Sequence, residues 1–265
     1  MPREITDLDT LKSLELDMMK LIHQFCEEKG ITYYIAYGTL LGTVRHNGFI
    51  PWDDDIDIHI PRLDFIRFEK EFPEWGQKYG LYIAGPHSKE YFHPRDMMKV
   101  CDSRTELLET DYRRTNRIGV FVDIWPLDNV PDSNLIAKLW VNWTWIKRQM
   151  MLASDVNPEI ETGIKAVAAR FFGMFSTKRL MDSFEKSSTR FKNKKTNRYI
   201  TYQATKMIFE KKWFEKRDLH RFEDTEFYIP HNYHEILTVR YGDYMKLPPE
   251  DKRVPHHVQN TWWKD

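Results

Sequence analysis

The chain has 265 residues with 40 basic and 40 acidic side chains, so its formal net charge is zero. At 41% hydrophobic and 14% aromatic content it can bury a sizeable core, which excludes a largely disordered chain. Two cysteines, Cys26 and Cys101, exclude a disulfide framework, and no uncharged apolar run approaches the ~18 residues of a membrane span.

In chain order, Leu8, Leu11, Met18, Leu21, Ile22 and Phe25 recur at helical spacing, which predicts a helix over 7–29 closed by Gly30. The β-rich run 31–37 predicts a short buried strand broken by Gly38. Residues 39–46 then read as a short helix with Thr39 as its cap. Asn47-Gly48 marks a turn. DIDIHI (55–60) alternates strictly and predicts a half-buried strand, after which Pro61 opens a helix through Phe72. Further strands are expected at 80–84, 96–102 and 118–125.

Residues 134–195 read as helical. Trp140, Trp143 and Trp145, with Phe171, Phe172 and Phe175, are expected to form helix–helix core, a membrane-facing patch being the alternative. From Trp213 onward the chain is aromatic, with a short helix around YHEILTVRYGDY and an irregular end, KLPPEDKRVPHH. This divides the chain into a mixed core over 1–133, a mainly helical insert over 134–212 and a C-terminal segment over 213–265 that packs back on the core, an α+β class overall. Zero net charge hides an asymmetry. Lys178–Arg217 carries 13 Lys/Arg against 4 Asp/Glu, so the remainder sums to −9. The basic stretch reads as a helical, solvated face suited to anionic lipid, and the total charge argues against nucleic acid. The acidic, periodic N-terminus does not read as a signal peptide, which suggests a cytoplasmic protein, at most peripheral on the inner face of the membrane.

The stretch 36–60, AYGTLLGTVRHNGFIPWDDDIDIHI, carries the chemistry. In a strand, Asp55 and Asp57 share one face, with Cα atoms ~6.5–7 Å apart. Two such carboxylates repel unless a cation sits between them, and Mg²⁺ or Mn²⁺ holding a nucleotide diphosphate suits that arrangement. Asp53 and Asp54 read as loop acids. Gly38-Thr39, between strand and helix, offers free N–H groups to a phosphate. Asp123 in GVFVDIWPLD is a third acid on a strand, costly to bury without a cation partner. Arg45 and Lys99 are candidate phosphate ligands, or else structural ion pairs, Arg45 with Asp53 or Asp54. Trp52 and Trp125 are candidates for stacking on a base or enclosing a quaternary ammonium, or for packing beside the acids. His256 and His257 are candidates for contacting phosphate.

The string GTLLGTVRHNGFIPWDDDIDI (38–58) closely resembles the signature of the LicD family, and KVCDSRT (99–105), VDIWPLD (122–128) and YGDYMKLPPEDKRVPHH (241–257) resemble further blocks of it in order. The resemblance implies a nucleotidyltransferase-like core: a mixed β-sheet flanked by helices, with Gly38-Thr39, the Asp55/Asp57 pair and Asp123 as its metal and phosphate residues. It also implies transfer of phosphocholine from CDP-choline to a hydroxyl of a cell-surface glycan or glycolipid precursor, such as a teichoic acid, capsular or lipopolysaccharide unit, with release of CMP. Related donors such as CDP-ribitol or CDP-glycerol, a true nucleotidyltransferase and a non-catalytic binding module are the rival readings.

Overall fold

A computed structural model describes residues 3–113, 116–203, 205–253 and 260–264. The expected His256 and His257 lie outside the described residues. Helix α1 (Leu8–Lys29) begins where the Asp7 carboxylate accepts the Thr10 N–H at 2.7 Å, and it ends at Gly30, whose φ of 61° lets its N–H reach Cys26 and Glu27 carbonyls. The expected strand over 31–37 shortens to β1 (Tyr34–Ile35), because Tyr37 turns into left-handed space (φ 44°) and starts helix α2 (Tyr37–His46). The Ala36 N–H donates to the Asp57 carbonyl at that bend.

After the acidic loop come β2 (Asp57–Pro61) and α3 (Arg62–Gly76), with Pro61 at the N-cap. Then follow β3 (Leu81–Ala84), β4 (Met98–Asp102), β5 (Thr105–Glu109), β6 (Asn116–Ile118) and the long β7 (Phe121–Val130). Helices α4 (Asn134–Asp155), α5 (Gly163–Phe172) and α6 (Thr177–Ser188) form the helical layer. Strands β8 (Arg198–Thr201) and β9 (Met207–Glu210), the hairpin β10 (Arg217–Phe222) and β11 (Thr225–Pro230), α7 (Tyr233–Tyr241) and β12 (Thr261–Trp263) complete the chain.

The central sheet runs β1-β2-β7-β4-β3, with β8 and β9 added through the C-terminal half of β7. Among the described strands β2 and β7 alone pair in parallel, so the sheet is mixed, as the resemblance implies. Ile58, Ile60, Val122, Ile124, Met98 and Val100 share one core with Met18, Ile22 and Phe25 of α1 and Phe68 and Phe72 of α3. Phe25 meets the edges of Phe68 and Phe72 at 5.2 and 5.1 Å between centroids. Cys26 and Cys101 are buried free thiols, as expected.

Two expectations need correction. The basic stretch 178–217 is helical only through α6 and two short 3₁₀ turns; its remainder supplies β8 and β9, so the insert also extends the sheet. The aromatic set is not all core. α4 buries a single stripe, Ala137, Trp140, Val141, Thr144, Arg148 and Met151. Trp140 lies on it and donates its indole N–H to the Ser187 carbonyl at 3.0 Å. Trp143, one turn on but rotated off the stripe, faces outward, as do Phe171 on α5 and Phe175 beyond it.

Candidate active site

Strand register assembles the site. In the parallel pair Asp57 lies opposite Asp123, and in the antiparallel pair on the other edge of β7 Lys99 lies opposite Asp123. Lys99, Asp123 and Asp57 therefore form one row across three adjacent strands, with neighbouring Cα atoms roughly 5 Å apart. All three are buried. Their chain neighbours Val100, Ile124 and Ile58 point to the opposite face and are fully buried. Two acids 66 residues apart thus meet because β2 and β7 pair in this register.

Asp55 precedes the strand rather than sharing it, since β2 begins at Asp57. It stays close through the loop, near enough to influence the titration of Asp53 and Asp57. The Gly38-Thr39 turn works differently from the expected cap. Ala36 occupies the N-cap position of α2 and no side chain caps that helix. The Thr39 hydroxyl instead accepts the Asp57 N–H at 2.8 Å and lies 3.5 Å from the Asp55 carbonyl, pinning the D-x-D backbone to α2. Gly38 permits a close approach, because a Cβ there would sit 2.6 Å from an Asp53 carboxylate oxygen. Asp53 is consequently held over the first turn of α2, where positive helix-end potential favours an anion.

Acids crowd this corner. Burial, then Asp55 and Asp123, push Asp57 well above the usual carboxylate range, opposed by the Trp125 indole N–H, which donates to Asp57 Oδ1 at 2.7 Å. Burial and Asp54 push Asp53 up to about 6, opposed by Lys12. Glu15 of α1 joins them: it is 3% exposed, its Oε2 has no hydrogen-bond partner, and burial with Asp55, Asp54, Asp123 and Asp53 nearby raises it well above normal. Sequence reasoning missed Glu15, although its position was a signal. It falls on the apolar stripe of α1, four residues after Leu11 and three before Met18, where an acid is out of place.

This donor set fits a hard divalent cation: carboxylate oxygens only, mutually repelling, one of them buried and unpartnered. As they stand, no three or more His, Cys, Asp or Glu side chains among the described residues are arranged to hold a metal ion, so the fit is one of donor chemistry. The opposing charge in the present arrangement is Lys99. Its ammonium lies 3.0 Å from Asp123 Oδ1, 3.7 Å from Glu109 Oε1 and 3.1 Å from the centre of the Phe121 ring. Burial disfavours that charge, but Asp123 and Glu109 outweigh it and raise the Lys99 pKa. Glu109 also meets His93 Nε2 at 3.2 Å, so a polar chain of residues unforeseen from the sequence, His93 and Glu109, backs Lys99.

The other candidates fall in different places. Trp125 is buried and orients Asp57 through its N–H, so it offers no open face for stacking on a base. Trp52 is half-buried, with the Arg253 guanidinium 5.3 Å from its ring centre and His46 against its edge. Arg45 donates from Nη1 to the Tyr244 carbonyl at 3.1 Å, tying α2 to the C-terminal segment.

The profile described as "LicD/FKTN/FKRP, nucleotidyltransferase domain" matches residues 30–162, half of the chain. The chain belongs to the LicD family. The match spans α2, the acidic loop, β2, β4 and β7, and so includes every residue of the Lys99–Asp123–Asp57 row. Beyond the matched domain, the chain is 29% identical over 265 aligned residues to the lipopolysaccharide cholinephosphotransferase LicD of Haemophilus influenzae, covering 93% of this chain and 94% of that protein. It is thus homologous to a transferase along nearly its whole length. Shorter similarities, 46% over 81 residues and 45% over 67, link it to uncharacterized proteins of Rickettsia typhi and Rickettsia prowazekii, each covering 25% of the relative.

Proposed function

We propose that this LicD-family transferase moves phosphocholine from CDP-choline to a hydroxyl of a lipopolysaccharide or related glycolipid, releasing CMP, with Mg²⁺ at the acidic corner. The observation that carries the reading is the Lys99–Asp123–Asp57 row beside the Gly38 turn. The family match and the relative that acts on lipopolysaccharide support the choice of reaction.

In the reaction the acceptor oxygen bonds to the phosphorus that bears choline, and the bond from that phosphorus to the CMP oxygen breaks. Such a transfer depends on positioning and charge neutralisation more than on covalent catalysis. Bound Mg²⁺ would supply neutralisation of the diphosphate and of the departing CMP oxygen. Asp55, Asp57 and Asp123 would hold it, with Glu15 and Asp53 close by. Trp125 fixes the rotamer of Asp57 by donating to Oδ1, which leaves Oδ2 for a cation. Asp123 is the carboxylate nearest Lys99 and takes the acceptor proton in this scheme. Lys99 holds Asp123 in place through its ion pair.

The test is CMP release from CDP-choline with purified lipopolysaccharide as acceptor, comparing the parent with Asp57→Asn and Asp123→Asn. Each substitution should lower the rate by at least about 10³-fold while circular dichroism stays unchanged. Normal turnover by either variant would falsify the assignment. CDP-ribitol and CDP-glycerol run alongside decide the head group.

A further inference from the structure

Away from the acidic corner, the most unusual surface is helical. Leu135, Leu139, Trp143 and Ile146 of α4 follow one another at intervals of four, four and three residues, which makes a single stripe, and they are 51–69% exposed. On α5, Ile164, Val167 and Phe171 repeat the pattern at 89, 66 and 51% exposure. Between the helices lies a groove of about 450 Å³, lined by Ile146 of the α4 stripe with Met150, Ala168 and Phe172, and by Glu161 and Lys165. Scattered exposed apolar residues need no explanation, but two exposed stripes flanking one groove do.

The charge around this face has one sign along α4. From Asn134 to Ser154 that helix has Lys138, Lys147 and Arg148 and no acid. Arg148 is turned inward to Asp96 at 3.0 Å, and the Lys147 ammonium, 5.4 Å from the Trp143 ring, donates to the Ser183 carbonyl at 3.2 Å, leaving Lys138 exposed. Lys165 and Arg170 stand exposed on α5. The acids nearby are fewer: Asp155 is taken by Arg95 at 3.1 Å, Glu159 sits on the connecting loop, and Glu161 lines the groove with no second acid opposite it among the described residues. Long basic side chains rimming an aromatic and aliphatic stripe match a headgroup layer, where the apolar atoms enter and the ammonium groups stay with lipid phosphate. Among the described residues no helix is long and apolar enough to cross a membrane, so the fitting geometry is lying on it.

We propose that the α4–α5 face docks this protein onto a bilayer that contains anionic phospholipid. A second copy of the chain fits less well, because two such faces in contact would bring like-charged rims together. Docking is also coupled mechanically to the catalytic sheet. Arg148 and Arg95 tie α4 to the segment just before β4, the strand that carries Lys99. Lipid binding does not depend on the proposed donor, so the two readings can fail separately.

The experiment is co-sedimentation of the full chain with vesicles of phosphatidylcholine alone or with about a quarter phosphatidylglycerol, without nucleotide. The parent should pellet with the anionic vesicles, stay largely in solution with the neutral ones, and lose binding as salt is raised. Trp143→Glu and Phe171→Glu should each lower partitioning at least about tenfold, and Lys165→Glu about fivefold or more. Trp143 and Phe171 are more than half exposed and Lys165 is exposed, so thermal melts should match the parent. A parent protein that stays in solution with anionic vesicles overturns the proposal. So does undiminished binding by both Trp143→Glu and Phe171→Glu. So does a sedimentation-velocity dimer that Trp143→Glu dissolves, which would assign the face to a second copy.

Discussion

Gly38 and Asp57 show how single residues serve the site at a cost to the fold. An added Cβ at Gly38 would stand 2.6 Å from the Asp53 carboxylate. Alanine favours a helix by about 1 kcal/mol over glycine, which offsets part of the clash. Gly38→Ala should therefore leave the melting temperature within a few degrees of the parent while Asp53 swings away and Mg²⁺ affinity, read by calorimetry, falls. Unchanged affinity would show that the position of Asp53 does not matter to the cation. Asp57 has its pKa raised by burial and by Asp55 and Asp123. A carboxyl raised on folding is neutral at low pH in both states and loses stability as pH climbs through the unfolded and then the folded value. Asp57→Asn should thus raise the metal-free melting temperature near pH 7.5 and change it little near pH 4, while abolishing transfer. An equal shift at both pH values would contradict this electrostatic account.

At the scale of elements, two polar contacts hold α3 against its surroundings. His87 bridges Glu69 of α3 and Glu185 of α6, with both ring nitrogens at 2.9 Å, and those carboxylates raise it from 6.5 to about 10. Its stabilising contribution is complete below pH 6.5 and fades as pH rises toward 10. The side chain is 43% exposed, so solvent screens the effect. The parent should lose melting temperature across pH 6.5–10 more steeply than His87→Gln; parallel curves would remove His87 from the account. The second contact is buried. Arg62 at the start of α3 donates twice to Asp128 of β7, at 2.7 and 2.8 Å. Asp128→Ala strands a buried guanidinium and should lower urea-unfolding stability by about 3–5 kcal/mol. A loss under about 1 kcal/mol would mean that water reaches Arg62 once its partner is gone.

Across the whole molecule, the proposed cation would couple binding to folding. A cation that binds only the native acidic corner raises stability by mass action, and about 2–4 °C of melting temperature accompanies each kcal/mol for a chain of this size. Millimolar Mg²⁺ should raise the melting temperature of the parent at pH 7.5, and EDTA should reverse it. The shift should shrink below about pH 6 as Asp53, pushed up to about 6, takes up a proton, with Asp57, which burial also raises, adding to the loss. A shift that persists in Asp57→Asn/Asp123→Asn would place the cation elsewhere.

Much of this was legible in the residues. The helix of 7–29, the Pro61 start of α3 and the strand positions of Asp57 and Asp123 follow from local patterning, which a nearby sequence window contains, while the mixed sheet came from the family resemblance. Local rules failed where a distant partner decides. The Thr39 hydroxyl bonds the Asp57 N–H instead of capping its own helix, because β2 returns beside α2. Trp143 and Phe171 point outward because they lie off the positions that α4 and α5 bury. β8 and β9 form inside a basic stretch because β7 offers them an open edge. Composition and periodicity determined which segments become helix or strand and which acids are too costly to bury idly. The pairing register of β2, β7 and β4, a contact between segments tens of residues apart, decided that Asp57, Asp123 and Lys99 meet, since hydrogen bonding between strands is blind to their distance along the chain.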